Sequence, residues 1–481
     1  METNIISATY TWSQFIPEFT LVGLAAVILM ADCFLPKIPK GFYALLGAVG
    51  AFATALCICK DTDLATFRQL ALVATGLTLL LAYDYRKVTC EAVSGSDTEE
   101  GTSELYALPL IACAGIGALT QARDIIMLFV SLEVVTLSSY VLAGYFRRNQ
   151  GSIEAGVKYL ILGAMSTGLL VFGAAWYYGM TGTFLLSTET VAQVLLVSQS
   201  VPGIMVGFML ATALLLAGAF FKTGVAPMHI WIPDVYQGAP TPVSAFLAVA
   251  SKTAGFAVLC LLLAPFAMSN FQALQQVLIC LTALTLLIGN LGAIVQTNAK
   301  RLLGYSSIAQ AGFIVVFLIN NYTAQAEVAA YLTAYLLATM AAFYAIAMVR
   351  TQRGSEEISA FRALGKTNPA LAFCITVAFA SLAGVPLTYG FIVKFQSFYA
   401  LIKAYSVWAL DCWFITLLVI MVIGAAAGFY YYFKIIREMY WEKPQPGDKP
   451  LCVPMVTAGV LVGCVLLLIM MGTWPLLTGT L

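Results

Sequence analysis

The chain has 481 residues, 61% hydrophobic and only 10% charged, with a net charge of +1 and a mean hydropathy of +0.91. Soluble domains carry roughly 25% charged residues, so this is the composition of a polytopic membrane protein, and its near-neutral balance gives no sign of a nucleic-acid partner. Eleven cysteines are scattered, mostly in apolar runs where packing against lipid is expected; only Cys57 and Cys59 are close, and a single histidine leaves no zinc-ligand set.

Apolar runs of about 20 residues mark membrane spans. Fourteen are expected, at 17–35, 42–59, 64–83, 104–121, 124–145, 155–179, 203–236, 241–264, 274–297, 302–320, 325–349, 368–402, 407–433 and 453–475. The first has no basic stretch before it and no small-residue cleavage site, so it reads as retained and not as a signal peptide. Between spans there is no soluble domain. The polar stretch VSGSDTEEGTSE (93–104) is a short acidic loop that could not fold alone. The segment RTQRGSEEISAFRALGK, starting at 350, is expected to hold a surface helix.

Two runs are too long for one straight helix: 203–236, interrupted by TGVAP, and 368–402, interrupted by LAGVPLTYG. Proline removes a helix hydrogen bond and glycine loosens the turn, so each predicts two half-helices around a break. The breaks fall in the seventh and twelfth spans, five spans apart. An odd offset makes the two units run in opposite directions, so spans 4–8 and 9–13 are expected to be inverted five-helix repeats. The expected organisation is a three-helix segment (1–103), a first repeat (104–266), a second repeat (267–450) and a C-terminal helix (451–481), all of it α-helical.

The basic residues orient this map. With an external N-terminus, sixteen fall in cytoplasmic loops: Lys37, Lys40, Arg86, Lys87, Arg147, Arg148, Lys300, Arg301, Arg350, Arg353, Arg362, Lys366, Lys434, Arg437, Lys443 and Lys449. Four fall outside: Lys60, Arg68, Arg123 and Lys403. The positive-inside rule then predicts that both termini are external. The remaining four lysines, Lys158, Lys222, Lys252 and Lys394, lie within spans.

A lysine at mid-membrane costs about 2.5–3.5 kcal/mol on insertion-derived scales, so such residues usually face an internal cavity and mark ion or proton pathways. Lys158 is near its helix start and has a plainer alternative, snorkelling to the cytoplasmic surface. Lys222, Lys252 and Lys394 are flanked by long apolar runs. Glu133, in the middle of the fifth span, is expected to pair with Lys222, each keeping the other charged against desolvation; it could instead bond Ser131 or Thr136. His229, the only histidine, could shuttle a proton between Lys222 and Lys252, or simply fix the HIWIPD turn. Asp234 and Tyr236 are expected to anchor the cytoplasmic end of the half-helix. The sequence contains no P-loop, dinucleotide fingerprint, metal cluster or haem ligand pair.

Five stretches carry a resemblance: KTGVAPMHIWIPDVYQGAPTPVSAFLAVASKTAGF (222–256), AKRLLGYSSIAQAGF (299–313), SLEVVTLSSYVLAGY (131–145), EAGVKYLILGAMSTGLLVFG (154–173) and SLAGVPLTYGFIVKF (381–395). Together they resemble the antiporter-like subunits of respiratory complex I, the NADH:quinone oxidoreductase, over nearly the whole chain. The resemblance implies that Glu133 and Lys222 act as a proton-translocating pair, with Lys252 as central relay and Lys394 near the far exit. It also places Lys158 and Lys300 on charged positions of the family. Lysine in the twelfth span separates the chain from subunit M, which has glutamate there, and the missing long lateral helix separates it from subunit L. Fourteen spans separate it from the shortened animal mitochondrial form. Leu387 departs from the family, standing where a second proline is common after Pro386, and Val225–Met228 varies the usual segment.

The resemblance implies proton translocation coupled to electron transfer in other subunits, with no cofactor bound by this chain. NADH, FMN, iron–sulfur clusters and quinone are expected in the parent complex. The implied partners are the antiporter-like subunits M and L, the small subunits K and J, the lipid bilayer and protons. The implied location is the bacterial inner membrane, ahead of the thylakoid membrane. An Mrp-type cation/proton antiporter subunit and a membrane-bound hydrogenase subunit are the alternatives.

Overall fold

The computed structural model describes residues 10–35, 38–58, 64–93, 95, 102–267, 272–407, 412–444 and 450–478. Lys37, Lys60, Lys449 and most of the acidic 93–104 loop lie outside the described residues. The described chain is built of helices joined by short connections. Eleven helices among the described residues are long and apolar enough to cross a membrane, and three shorter apolar helices, Gly41–Cys57, Glu104–Leu119 and Pro369–Ala383, fill the second span, the fourth and the first half of the twelfth. Two short helices, Arg86–Val93 and Thr188–Ser198, connect spans where none was expected. The segment after Arg350 holds a 3-10 turn, Ile358–Phe361, and one helical turn, Leu364–Thr367, in place of a single surface helix.

Both expected interruptions are present. The seventh span divides into Pro202–Thr223 and Trp231–Gly238, the twelfth into Pro369–Ala383 and Tyr389–Val407. Each first half ends the same way. Gly224 (φ +81°) and Gly384 (φ +87°) adopt the left-handed conformation that suits glycine at a helix C-terminus. In each, two successive amides turn back on one carbonyl: Gly224 and Val225 on Phe220 at 2.9 and 3.0 Å, Gly384 and Val385 on Ala380, both at 2.9 Å. Leu387 also has positive φ (+73°), a conformation closed to proline, so the departure from the family pattern has a local structural expression.

A second pair of matching details has the same five-span offset. Asp124 caps the fifth span by accepting from the Met127 amide at 2.8 Å, and Asn298 caps the tenth by accepting from Arg301 at 3.1 Å. Beside each cap the chain forms an isolated antiparallel bridge, Asp124 with Leu185 and Asn298 with Glu357. The bonds correspond one to one: Ile125 N to Phe184 O (3.0 Å) and Leu186 N to Arg123 O (3.1 Å), against Ala299 N to Glu356 O (2.9 Å) and Ile358 N to Thr297 O (2.8 Å).

The eighth, tenth and eleventh spans are buried along almost their whole length, whereas the first, sixth and thirteenth turn broad apolar faces outward. Large outward side chains such as Val157, Ile161, Val422 and Ile423 suit contact with lipid. The eighth span winds one π-helical turn, Leu247–Ser251, immediately before Lys252; such bulges are frequent at functional sites. The cysteines do not all face lipid as expected: Cys90, Cys113, Cys260 and Cys464 are buried inside the bundle. The N-terminal helices are pinned by Arg68, which donates to Glu18 at 2.5 Å, and the last span by Thr457, whose hydroxyl donates to Asp84 at 2.6 Å.

Candidate functional site

The last turn of the first seventh-span half-helix carries Lys222, 3% exposed. Its ammonium donates to the Tyr159 hydroxyl at 3.1 Å and lies 5.4 Å from the centre of that ring. Tyr159 is held by stacking on Trp231 (4.4 Å between centroids) and edge-on by Tyr140 (4.9 Å). Trp231 in turn spans the helix break, its indole N–H donating to the Phe221 carbonyl at 2.8 Å. That bond satisfies a carbonyl which the interruption would otherwise strip of its partner.

Glu133 is half-buried and forms no ion pair with Lys222 among the described residues. Its carboxylate accepts from Thr167 at 2.8 Å, not from Ser131 or Thr136, whose hydroxyl turns back to Leu132 O. The expected direct pair is therefore corrected to two separately anchored charges with a tyrosine cluster beside Lys222.

Lys252, 1% exposed, follows the π turn. Its ammonium donates to the Ser307 hydroxyl at 2.6 Å and to the Ser307 carbonyl, and lies 5.2 Å from the centre of the Tyr335 ring. Tyr236 is fully buried with its hydroxyl 3.4 Å from Ser307 Oγ, so it faces the interior lysine and does not anchor the half-helix end.

Lys394, 7% exposed, lies on the second half of the twelfth span and reaches back across the break. It donates to the carbonyls of Leu382 at 2.6 Å and Ala383 at 3.0 Å, at the C-terminal end of the first half-helix. A cation there completes the orphan carbonyls and complements the helix dipole. The two breaks are thus closed by different donors, an indole in one and the lysine itself in the other.

Beyond Ser307, a polar chain runs toward Lys394. Ser306 Oγ lies 2.5 Å from the Tyr432 hydroxyl, Gln310 Nε2 donates to Tyr432 Oη and to Leu382 O, both at 3.1 Å, and the Tyr331 hydroxyl donates to Gln310 Oε1. Ser306, Ser307 and Gln310 lie in the stretch AKRLLGYSSIAQAGF, where nothing local in the sequence marks them singly as site residues. The signal available was a cluster of polar side chains in the middle of an apolar span, Ser306 and Gln310 on the same helix face at i, i+4 spacing.

Lys158 and Lys300 belong to a different place. Lys158 is partly exposed and bonds Glu154 at 2.7 Å and Asp234 at 2.8 Å. Asp234 also accepts from Arg301 at 2.6 Å, so it anchors the end of the half-helix as expected. Lys300 is buried, pairs with Glu356 at 3.0 Å and donates to Ala239 O at 2.8 Å. These residues line a cavity of about 400 Å³, with Arg350 in its wall, on the side expected to be cytoplasmic. Tyr85 lines the same cavity; burial pushes its hydroxyl up to about 12, with Glu356 adding to the effect. His229 bonds neither Lys222 nor Lys252: its buried Nδ1 has no hydrogen-bond partner among the described residues, and its carbonyl accepts from Ile232 at 3.0 Å within the turn. Among the described residues, no three His, Cys, Asp or Glu side chains are grouped to hold a metal ion.

Residues 122–424 match the family model described as NADH:quinone oxidoreductase/Mrp antiporter, TM. The chain is 34% identical over 459 residues to NADH-quinone oxidoreductase subunit N 1 of Opitutus terrae, covering 90% of this chain and 88% of the relative. It is 32% identical over 486 residues to F(420)H(2) dehydrogenase subunit N of Methanosarcina mazei, covering 95% of each. Its fold matches a chain of respiratory complex I from Thermus thermophilus with bound aureothin at a TM-score of 0.76 and 29% identity, over 96% of this chain and 97% of that one.

Proposed function

Because the chain belongs to the NADH:quinone oxidoreductase/Mrp antiporter family of membrane subunits, we propose that it is the subunit N type proton-translocating member of the membrane arm of an NADH:quinone oxidoreductase. The observation that carries this reading is the series Lys222, Lys252 and Lys394, three buried ammonium groups held by hydroxyl and carbonyl dipoles with no carboxylate within ion-pair distance among the described residues. A lysine held in this way can release its proton without leaving an unpaired carboxylate behind. The cavity lined by Lys158, Asp234, Lys300 and Arg301 supplies protons from the cytoplasmic side, Lys222 and Lys252 take them inward, and Lys394 passes them on. Glu133 acts on Lys222 through its field.

In this reading the chain holds no redox centre. FMN, iron–sulfur clusters and quinone reside elsewhere in the parent complex, and the chain packs among the antiporter-like and small membrane-arm subunits of a bacterial inner membrane with both termini on the periplasmic side. In the same reading the chain divides into an N-terminal segment, two inverted repeats and a final helix, a division that the matching caps and breaks support. The similarity to an F(420)H(2) dehydrogenase subunit favours a second reading, in which the proton path is the same and the electron donor differs.

The test is the proton yield per electron pair in membrane vesicles, normalised to assembled complex, for Lys252→Arg. Guanidinium keeps the charge but does not release its proton in the accessible range, so the yield should fall. An assembled variant with the wild-type yield overturns the reading. The electron donor is identified by assaying the same complex with NADH and with reduced deazaflavin.

A further inference from the structure

Between Lys252 and Lys394 stands one side chain that cannot carry a proton. The orientation of the Gln310 carboxamide is fixed by its neighbours: Leu382 O can only accept, so the amide nitrogen must face it. That nitrogen spends its second hydrogen on Tyr432 Oη, and Oε1 accepts from Tyr331. All three partners are buried or main-chain atoms inside the bundle, and Gln310 itself is 3% exposed. Leu382 O receives Gln310 on one side and Lys394 on the other. On the Lys252 side, Ser306 reaches Tyr432 while its neighbour Ser307 holds the Lys252 ammonium.

Serine and tyrosine hydroxyls can accept one proton and pass on another, because each is both donor and acceptor. An amide nitrogen has no acceptor site, and a main-chain carbonyl has no proton to give. Ser307 and Ser306 are joined through the main chain; from Ser306 the hydrogen bonds run through Tyr432, Gln310 and Leu382 O to Lys394, and that run is broken in proton chemistry at Gln310. Against this link lies a cavity of about 10 Å³, lined by Gln310, Tyr331, Tyr335, Leu382 and Lys394 among others. That is at the lower limit for one water. Tyr335, in the wall of this cavity, also has the Lys252 ammonium 5.2 Å from its ring centre, so the cavity lies between residues that contact the two lysines.

We propose that Gln310 is the positioning residue that insulates Lys252 from Lys394 in this conformation, its saturated carboxamide keeping the two proton sites separate until the contacts with Tyr331 and Tyr432 are released. An insulator at this point lets the two lysines hold different protonation states, which directional transfer requires. The proposal rests on the reading that protons pass between these lysines.

The test uses vesicles containing the assembled complex, energised by substrate and then stopped with an inhibitor, with the decay of the pH gradient as readout. Gln310→Glu keeps the shape and replaces the amide by a group able to gain and lose a proton. Its gradient should decay several-fold faster than wild type, and the excess should vanish in Gln310→Glu/Lys394→Met. Decay at the wild-type rate in assembled Gln310→Glu, or a fast decay that persists without Lys394, overturns the proposal. If Gln310→Glu does not assemble, Tyr331→Phe frees Oε1 and should also hasten the decay; wild-type decay there overturns it. Lys394→Met measured alone separates the two levels: if it pumps with the wild-type yield, the proton-path reading itself fails, whatever Gln310 does.

Discussion

Lys222 donates its buried ammonium to the Tyr159 hydroxyl at 3.1 Å, and Tyr159 is clamped between Trp231 and Tyr140. The phenol is the one hydrogen-bond acceptor at Lys222 among the described residues. Removing a partner from a buried charged group costs about 1–3 kcal/mol or more. Tyr159→Phe retains the stacking and removes that acceptor. Assembly should survive, and the proton yield should drop. Lys222→Arg should fail completely, because a lysine with a purely structural role would accept arginine and a proton carrier would not. Pumping by Lys222→Arg at the wild-type rate would make Lys222 structural.

Glu133 is anchored by Thr167 at 2.8 Å and does not touch Lys222. Breaking a contacting buried pair costs about 3–5 kcal/mol; the coupling here should be far smaller. Glu133→Gln is therefore expected to assemble normally while lowering the proton yield. A double-mutant cycle with Lys222→Met, read by thermal stability of the assembled complex, should give a coupling below about 1 kcal/mol. A coupling of several kcal/mol would mean that the two side chains do meet.

What could be read from the sequence was whatever leaves a local mark. Glycine and proline inside over-long apolar runs located both breaks, and lysines within spans located the three buried ammonium groups. What held those groups was not legible, because Tyr159, Ser307 and the Leu382 carbonyl come from other segments and meet the lysines only in the folded bundle. The pairing of Glu133 with Lys222 failed for that reason: two lone charges in apolar runs suggest a contact, and only the fold sets their separation. Tyr236 was misplaced because an aromatic near a span end suits a membrane interface equally well. The role of Gln310 depends on the direction of an amide, which no spacing encodes.

Lys300 and Asp234 both carry ion pairs beside the same cavity, and their burial differs. The Lys300 and Glu356 side chains are 3% and 15% exposed, so Lys300→Ala leaves the Glu356 charge without its cation, held by the Thr241 hydroxyl at 3.2 Å, and should cost about 3–5 kcal/mol. Asp234 is 33% exposed and its partners Lys158 and Arg301 are 42% and 29% exposed. Pairs of that kind are worth about 0.2–1 kcal/mol each, and Lys158 keeps Glu154. Detergent-solubilised complex should show markedly reduced assembly for Lys300→Ala and near-normal assembly for Asp234→Ala. The reverse order would mean that the cavity, not the Lys300 pair, organises this side of the bundle.

Gly384 and Gly354 separate backbone strain from damage to the site. Both have positive φ, +87° and +71°, so replacing either with alanine forces a side chain into the left-handed region, at roughly 1–2 kcal/mol. A Cβ at Gly354 would meet nothing within 4 Å, whereas at Gly384 it would lie 2.9 Å from Lys394 Cδ. Gly354→Ala should therefore pay only the backbone cost, seen as a small loss of thermal stability with an unchanged proton yield. Gly384→Ala pays the same cost and also pushes Lys394 off the Leu382 and Ala383 carbonyls. Its proton yield should fall well beyond what its stability loss accounts for. If the two variants lose stability equally and pump equally, the ammonium of Lys394 does not need its seat on the half-helix end, and the carbonyls there serve only to close the break.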